Sequence, residues 1–140
     1  ANLIIQQDAP FLKTLCLEGT VTSGKGEGAK FTKLSWVKKQ LEQKLGFVPY
    51  PGTLDVRITE KVVKRKKAFA QGRGVQILPA PGFCNGRCLK ATIKTELNCA
   101  VIIPEVAGYP ENLIELISPE NLRKKLHLRD GDPVEVEIML

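Results

Sequence analysis

The sequence predicts a mainly β protein, a small closed or partly closed barrel carrying two helices. Three observations predict it. Six or seven short apolar or alternating runs are separated by clusters of Gly, Pro, Asn and Asp. The strand–helix–strand alternation of a doubly wound sheet is absent. At 140 residues the chain is long enough to bury one core without a disulfide or a metal.

The first run, Phe11 to Ser23, sets Leu15, Leu17 and Val21 against Cys16, Glu18 and Thr20, as a strand does. It breaks into Ser23-Gly24-Lys25-Gly26-Glu27-Gly28, whose alternating glycines suit neither a helix nor a packed strand. Leu34 to Leu45 reads as a helix, with Val37, Leu41 and Leu45 on one face, Ser35 as its cap and Gly46 as its C-terminal stop. Pro49 and Pro51 make the next segment an extended loop. Thr53 to Thr59 alternates Leu54, Val56 and Ile58 against Thr53, Asp55 and Arg57, a strand with one dry face.

Lys61 to Lys67 holds five basic residues around Val62 and Val63 and is read as a solvated connection between strands. Strands follow over Gly74 to Leu78, Cys88 to Ile93, Asn98 to Ile103 and Leu113 to Ile117, with Gly86 in a tight turn. Ser118-Pro119 predicts a helix start, Ser as cap and Pro at the first helical position, with the helix reaching about His127. Asp130-Gly131-Asp132 is a turn, and Val134 to Ile138 the last strand.

A net charge of +6 leaves three readings open: nucleic-acid binding, steering of a small anionic substrate, or simply a basic surface. No run of 18 apolar residues predicts a membrane helix, and the N-terminus does not read as a signal peptide, so a cytoplasmic protein is expected. The absence of a start Met at Ala1 fits either Met removal or a domain cut from a longer chain. Cys16, Cys84, Cys88 and Cys99 read as free thiols, because Cys84 and Cys88 have C-x3-C spacing rather than the usual zinc spacing and no secretory signal is present. His127, the one histidine, sits at a helix end and reads as solvated or packed rather than catalytic.

Three features carry chemistry. The glycine loop can turn successive N–H groups toward an anion, with Lys25 adding charge, yet it matches neither the Walker nor the Rossmann fingerprint; a plain flexible loop is the competing reading. Thr53 and Asp55, two apart on a strand, put two hard oxygen groups on one face; they suit Mg²⁺ or are simply a wet strand face. Glu115 stands inside an apolar run, beside Leu113 and Ile117 on its face. A carboxylate there suits general-base work or is an edge-strand residue facing water. Asn121 and Arg123 lie near a helix N-terminus, where anions are favoured.

Taken together these residues resemble the archaeal CTP-dependent riboflavin kinase family. The resemblance rests on Glu18 to Gly28, on Leu45-Gly46-Phe47-Val48-Pro49-Tyr50-Pro51-Gly52-Thr53-Leu54-Asp55-Val56, on Ile114 to Arg123, and on the tail Leu128 to Ile138. It implies a six-stranded cradle-loop barrel with helices on its rim, and one catalytic domain over residues 1–140, with 1–13 an extension or linker. It implies transfer of the γ-phosphoryl group of CTP to the 5′-hydroxyl of riboflavin, giving FMN and CDP.

Residue by residue, the resemblance assigns the nucleotide to Gly24, Lys25, Gly26, Glu27, Gly28 and Ala29 and to Glu120, Asn121, Leu122 and Arg123. It assigns Mg²⁺ to Thr53 and Asp55, and the flavin to Ala107 and Glu115, with Glu115 the candidate base. Two positions depart from the family pattern: Asp55 stands where Asn is usual, and Ala107 where Thr is common. Aspartate remains a competent Mg²⁺ ligand, with added repulsion toward phosphates that the metal offsets. Phe47, Val106 and Tyr109 are candidates to line a flavin slot, or ordinary packing residues. Such enzymes sometimes carry an N-terminal winged helix, which these residues lack. The competing class is a nucleic-acid-binding barrel of a transcription regulator, whose feature would be Lys61 to Lys67.

Overall fold

The computed structural model describes residues 14–23, 30, 32–70, 74–78, 86–94, 97–105 and 107–139. The glycine loop Gly24 to Ala29, Cys84 and Val106 lie outside them. The described elements are β1 (Thr14–Thr22), α1 (Ser35–Leu45), β2 (Leu54–Arg57), α2 (Glu60–Ala70), β3 (Val75–Ile77), β4 (Gly86–Ile93), β5 (Leu97–Pro104), β6 (Leu113–Ile117), α3 (Leu122–Lys125) and β7 (Pro133–Met139).

All described strand pairs are antiparallel. Hydrogen bonding runs β4–β5–β6–β2–β1–β7, and β7 returns to β4 at Ala91↔Ile138 and Ile93↔Val136, so six strands close into a ring. β3 adds a seventh at the other end of β4, through Val75↔Cys88 and Ile77↔Gly86. Its free edge is occupied by α1: the Gln40 amide accepts from Leu78 N–H at 2.8 Å and donates to its carbonyl at 2.9 Å, while Lys44 donates to the Gln76 carbonyl at 2.7 Å. Pairing an exposed edge in this way removes a template for aggregation.

Strand alternation divides the apolar residues into two cores. Leu17, Val21, Leu54, Val56, Leu89, Val101, Ile114, Leu116, Val136 and Ile138 belong to the larger one. Ala100, Ile102 and Ile117 point the other way and pack with Val37, Leu41 and Leu45 of α1. Gly19 is required by the first core: a Cβ there would lie 2.3 Å from Val56 Cγ1 and 2.8 Å from the Arg57 carbonyl oxygen.

Several local expectations are corrected. Lys61 to Lys67 is not a solvated connection but lies in helix α2, a helix beyond the two expected. Val62 and Val63 are buried in the larger core, Thr59 accepts from Val62 N–H, and Lys and Arg are good helix formers that leave their charges in water. Helix α1 starts without a side-chain cap: Leu34, not Ser35, is its N-cap residue, and Leu34 packs against the second core. Gly46 ends it as expected, at φ 83°.

Helix α3 is shorter than expected. Asn121 caps it, accepting from Lys124 N–H, and it spans Leu122–Lys125. Ser118 instead accepts from Glu120 N–H and donates to the Asn98 carbonyl, so its hydroxyl braces the exit of β6. Gly86, expected in a turn, opens strand β4.

Candidate functional site

The site begins with register. In the β2–β6 pair Asp55 stands directly opposite Glu115, flanked by Leu54↔Leu116 and Val56↔Ile114. Leu54, Val56, Ile114 and Leu116 fill the larger core, so the period of two turns both carboxylates to the opposite face. Thr53, one step before β2, faces the same way: its Oγ1 lies 3.0 Å from Asp55 Oδ1 and 3.1 Å from Glu115 Oε1. One hydroxyl proton serves two acceptors there, so the two carboxylates compete for it.

Neither carboxylate is a wet-face residue. Asp55 is 6% exposed and Glu115 2%. Strand β6 lies between β5 and β2, which removes the edge-strand reading of Glu115. Desolvation pushes the Asp55 carboxyl up to about 6; Glu115 adds to the rise, while the Thr53 hydrogen bond and the Arg123 charge oppose it.

The second oxygen of Glu115, Oε2, accepts from the Tyr109 hydroxyl at 2.5 Å. Burial and the Glu115 carboxylate push the Tyr109 phenol upward, so it stays a donor. Tyr109, grouped in sequence with Phe47 and Val106, is thus tied to the carboxylate. Phe47 packs against the second core under α1. Ala107 is exposed in the same β5–β6 connection as Tyr109.

Beside this cluster opens a cleft of about 320 Å³. Gly52 and Thr53 line one side, and Glu120, Asn121, Leu122 and Arg123 another, with Tyr50 at its wall. The two walls are tied together, since Tyr50 N–H donates to the Ser118 carbonyl at 2.7 Å and Asn121 Nδ2 to the Tyr50 hydroxyl at 3.3 Å. Thr53, one of the metal-type pair, and the second nucleotide segment of the sequence reading therefore border one cavity, and Asp55 is joined to it through the Thr53 hydroxyl.

Arg123 extends the site toward the glycine loop. Its guanidinium pairs with Asp130 at 2.9 Å and donates to the Thr22 carbonyl at 3.3 Å. Ser23, the residue before the loop, donates to the other Asp130 oxygen at 2.7 Å. Backbone bonds Val21 N–H to Asp132 and Gly131 N–H to Val21 lock the same corner. The Ser23 bond and then the Arg123 bond hold the Asp130 carboxyl below its ordinary value. The Asp-Gly-Asp turn thus organises the root of the glycine loop, while Gly24 to Ala29 themselves lie outside the described residues.

Two contributions escaped sequence reasoning: Tyr109 as a partner of Glu115, and Asp130 as the joint between Arg123 and Ser23. Both are made by contacts across the fold and carry no local motif. Outside the site, Cys88 and Cys99 are buried free thiols and Cys16 is exposed. Burial pushes both buried thiols up to about 12, well away from reactive thiolates. His127 is exposed, at φ 53°. None of the described helices is long and apolar enough to cross a membrane.

Comparison with known proteins gives the family. A family model named CTP-dep_RFKase, described as domain of unknown function DUF120, matches residues 21–138. Riboflavin kinase of Methanospirillum hungatei is 42% identical over 132 residues, covering 91% of this chain and 59% of the relative. That of Pyrobaculum islandicum is 41% identical over 130 residues (89% and 60%), and that of Archaeoglobus fulgidus 39% over 131 residues (91% and 56%). The chain therefore spans 56–60% of the length of these three relatives. With the family model matched over residues 21–138, from the end of β1 to β7, this chain belongs to the CTP-dep_RFKase family.

Proposed function

We propose that this chain is the catalytic domain of a riboflavin kinase, moving the γ-phosphoryl group of CTP to the 5′-hydroxyl of riboflavin to give FMN and CDP. One observation carries the reading: Asp55 and Glu115 share the hydroxyl of Thr53, which lines a cleft whose other wall is Glu120 to Arg123. The relatives are named riboflavin kinases, and the family name supplies CTP.

The residues fit a magnesium ion. Thr53 and Asp55 offer hard oxygen donors, and Asp55 is buried beside a second carboxylate, an arrangement that a cation would relieve. Among the described residues no three His, Cys, Asp or Glu gather as a metal cage. Mg²⁺ typically takes one or two protein oxygens and completes its octahedron with water and phosphate. When bound, the ion neutralises phosphate charge.

The chain's own groups do the rest. Arg123, with Lys25 and the backbone of Gly24 to Ala29, holds the nucleotide phosphates. Glu120, Asn121 and Leu122 border the same cleft. Glu115 receives the riboflavin 5′-hydroxyl, and Ala107 lies on the flavin side. The hydroxyl oxygen bonds to the γ-phosphorus as the bond from phosphorus to the β–γ bridging oxygen breaks. The electron pair departs with CDP, and the hydroxyl proton passes to Glu115. Such a reaction asks chiefly for positioning and charge neutralisation.

The nucleic-acid reading has less behind it. Within α2, Arg65 pairs with Glu18, Lys67 pairs with Glu111, and Lys66 donates to the Glu111 carbonyl, so the basic run is partly spent on the fold. The test is FMN formation from riboflavin and Mg²⁺ with CTP, ATP and GTP in parallel. CTP is expected to support turnover at least about tenfold better than either purine nucleotide, a gap of about 1.4 kcal/mol. Equal rates with ATP would remove the CTP assignment.

A further inference from the structure

Glu115 has a clamp on each oxygen. Thr53 Oγ1 reaches Oε1 at 3.1 Å, and the Tyr109 hydroxyl reaches Oε2 at 2.5 Å. A glutamate side chain is rotamer-rich, and fixing it normally costs entropy each time a substrate arrives. Here that ordering is built into the fold, because one donor comes from the segment before β2 and the other from the β5–β6 connection. The Thr53 proton is shared with Asp55 Oδ1 at 3.0 Å, so the Tyr109 hydroxyl on Oε2 is the donor that Glu115 does not share with Asp55.

Tyr109 belongs to the β5–β6 connection. It sits two residues beyond Ala107, in the connection that the proposed function places against the flavin. A change in that connection is transmitted to Glu115 through one hydrogen bond. The phenol is half-buried, and the proximity of the carboxylate keeps its proton in place.

We propose that Tyr109 is a positioning residue: through its hydrogen bond to Glu115 Oε2 it holds the carboxylate in the orientation that receives the acceptor hydroxyl. The proposal rests on the kinase reading above and deepens it. It separates two roles, Glu115 touching the acceptor and Tyr109 acting only through Glu115. It also ties acceptor alignment to the β5–β6 connection, rather than to the nucleotide side of the cleft.

The test uses the whole chain with Tyr109→Phe, Glu115→Gln and the double variant. Read-outs are kcat, KM for nucleotide and riboflavin, riboflavin affinity by flavin-fluorescence quenching, and Tm. Tyr109→Phe keeps the ring and removes only the donor. It is expected to lower kcat about tenfold, with nucleotide KM changed less than about twofold. In the Glu115→Gln background the same change is expected to shift the residual kcat by less than about twofold, because the clamp then has no carboxylate to orient. A kcat for Tyr109→Phe within twofold of wild type overturns the proposal. So does a tenfold loss that persists undiminished in the Glu115→Gln background, or a Tm drop with kcat preserved. Wild-type protein that binds riboflavin and makes no FMN would instead overturn the kinase reading, which keeps the two failures distinct.

Discussion

Asp55 and Glu115 face one another across two neighbouring strands, both nearly excluded from water, with the Thr53 hydroxyl within 3.1 Å of each. Two adjacent buried carboxylates are costly without a cation, and proteins keep them where chemistry needs them. The pair shares the hydroxyl of Thr53, which lines the cleft that Arg123 borders, where the proposed function puts the metal-bound phosphate.

The first prediction concerns charge and stability. The folded Asp55 carboxyl titrates near 6 against an ordinary 3.8, so the fold favours its protonated form. Stability from this group is therefore present below pH 3.8 and lost as pH rises to about 6. Metal-free Asp55→Asn is expected to be more stable than wild type at pH 7.5, by about 1–3 kcal/mol, with the gap closing toward pH 4. Denaturant melts at both pH values check this. Mg²⁺ is expected to raise the wild-type Tm and to raise that of the variant less.

The second concerns the acceptor side. Glu115→Gln keeps shape and removes the charge. It is expected to lower kcat about 10²-fold or more, while the protein stays folded. A circular-dichroism melt together with steady-state kinetics tests it, and a kcat within twofold of wild type would remove Glu115 from proton transfer.

The third concerns Arg123. Its pairing with Asp130 is half-exposed, so Arg123→Ala is expected to cost only about 0–1 kcal/mol of stability. Its effect on the nucleotide is expected to be larger, at least about tenfold in nucleotide KM, because a charge-assisted phosphate contact is lost. Asp130→Asn, which weakens the tie to Ser23, is expected to follow in the same direction.

The fourth tests the ring itself. Gly19→Ala forces a methyl against Val56 and the Arg57 carbonyl. A loss of about 1–3 kcal/mol is expected from this overpacking. A variant as stable as wild type would mean that β1 and β2 can separate without cost.

How far the sequence reached can be read in particular residues. Alternation in Thr53 to Ile58 and Leu113 to Ile117 was enough to place Thr53 and Asp55 on one face and Glu115 beside Ile117. It could not say that the two strands pair, since Thr53 and Glu115 are 62 positions apart and register is a tertiary property. The same limit hid Tyr109 and Asp130, whose roles exist only across the fold.

Helix α2 was missed for a different reason. Five cations mask the two valines that anchor it, and the run reads as solvated although lysine and arginine favour helices. The short helix α3 was overextended because Ser118-Pro119 is a good cap signal. There the serine hydroxyl is spent on Glu120 and Asn98, and Asn121 takes the cap.

The most direct test of the whole account is chromatographic measurement of FMN and CDP made by the purified chain from riboflavin and CTP, with Mg²⁺ and again with excess chelator. The account predicts equal amounts of FMN and CDP with the metal and a loss of at least about 10²-fold without it. Riboflavin bound by the protein, with no FMN formed from CTP, ATP or GTP, would contradict it.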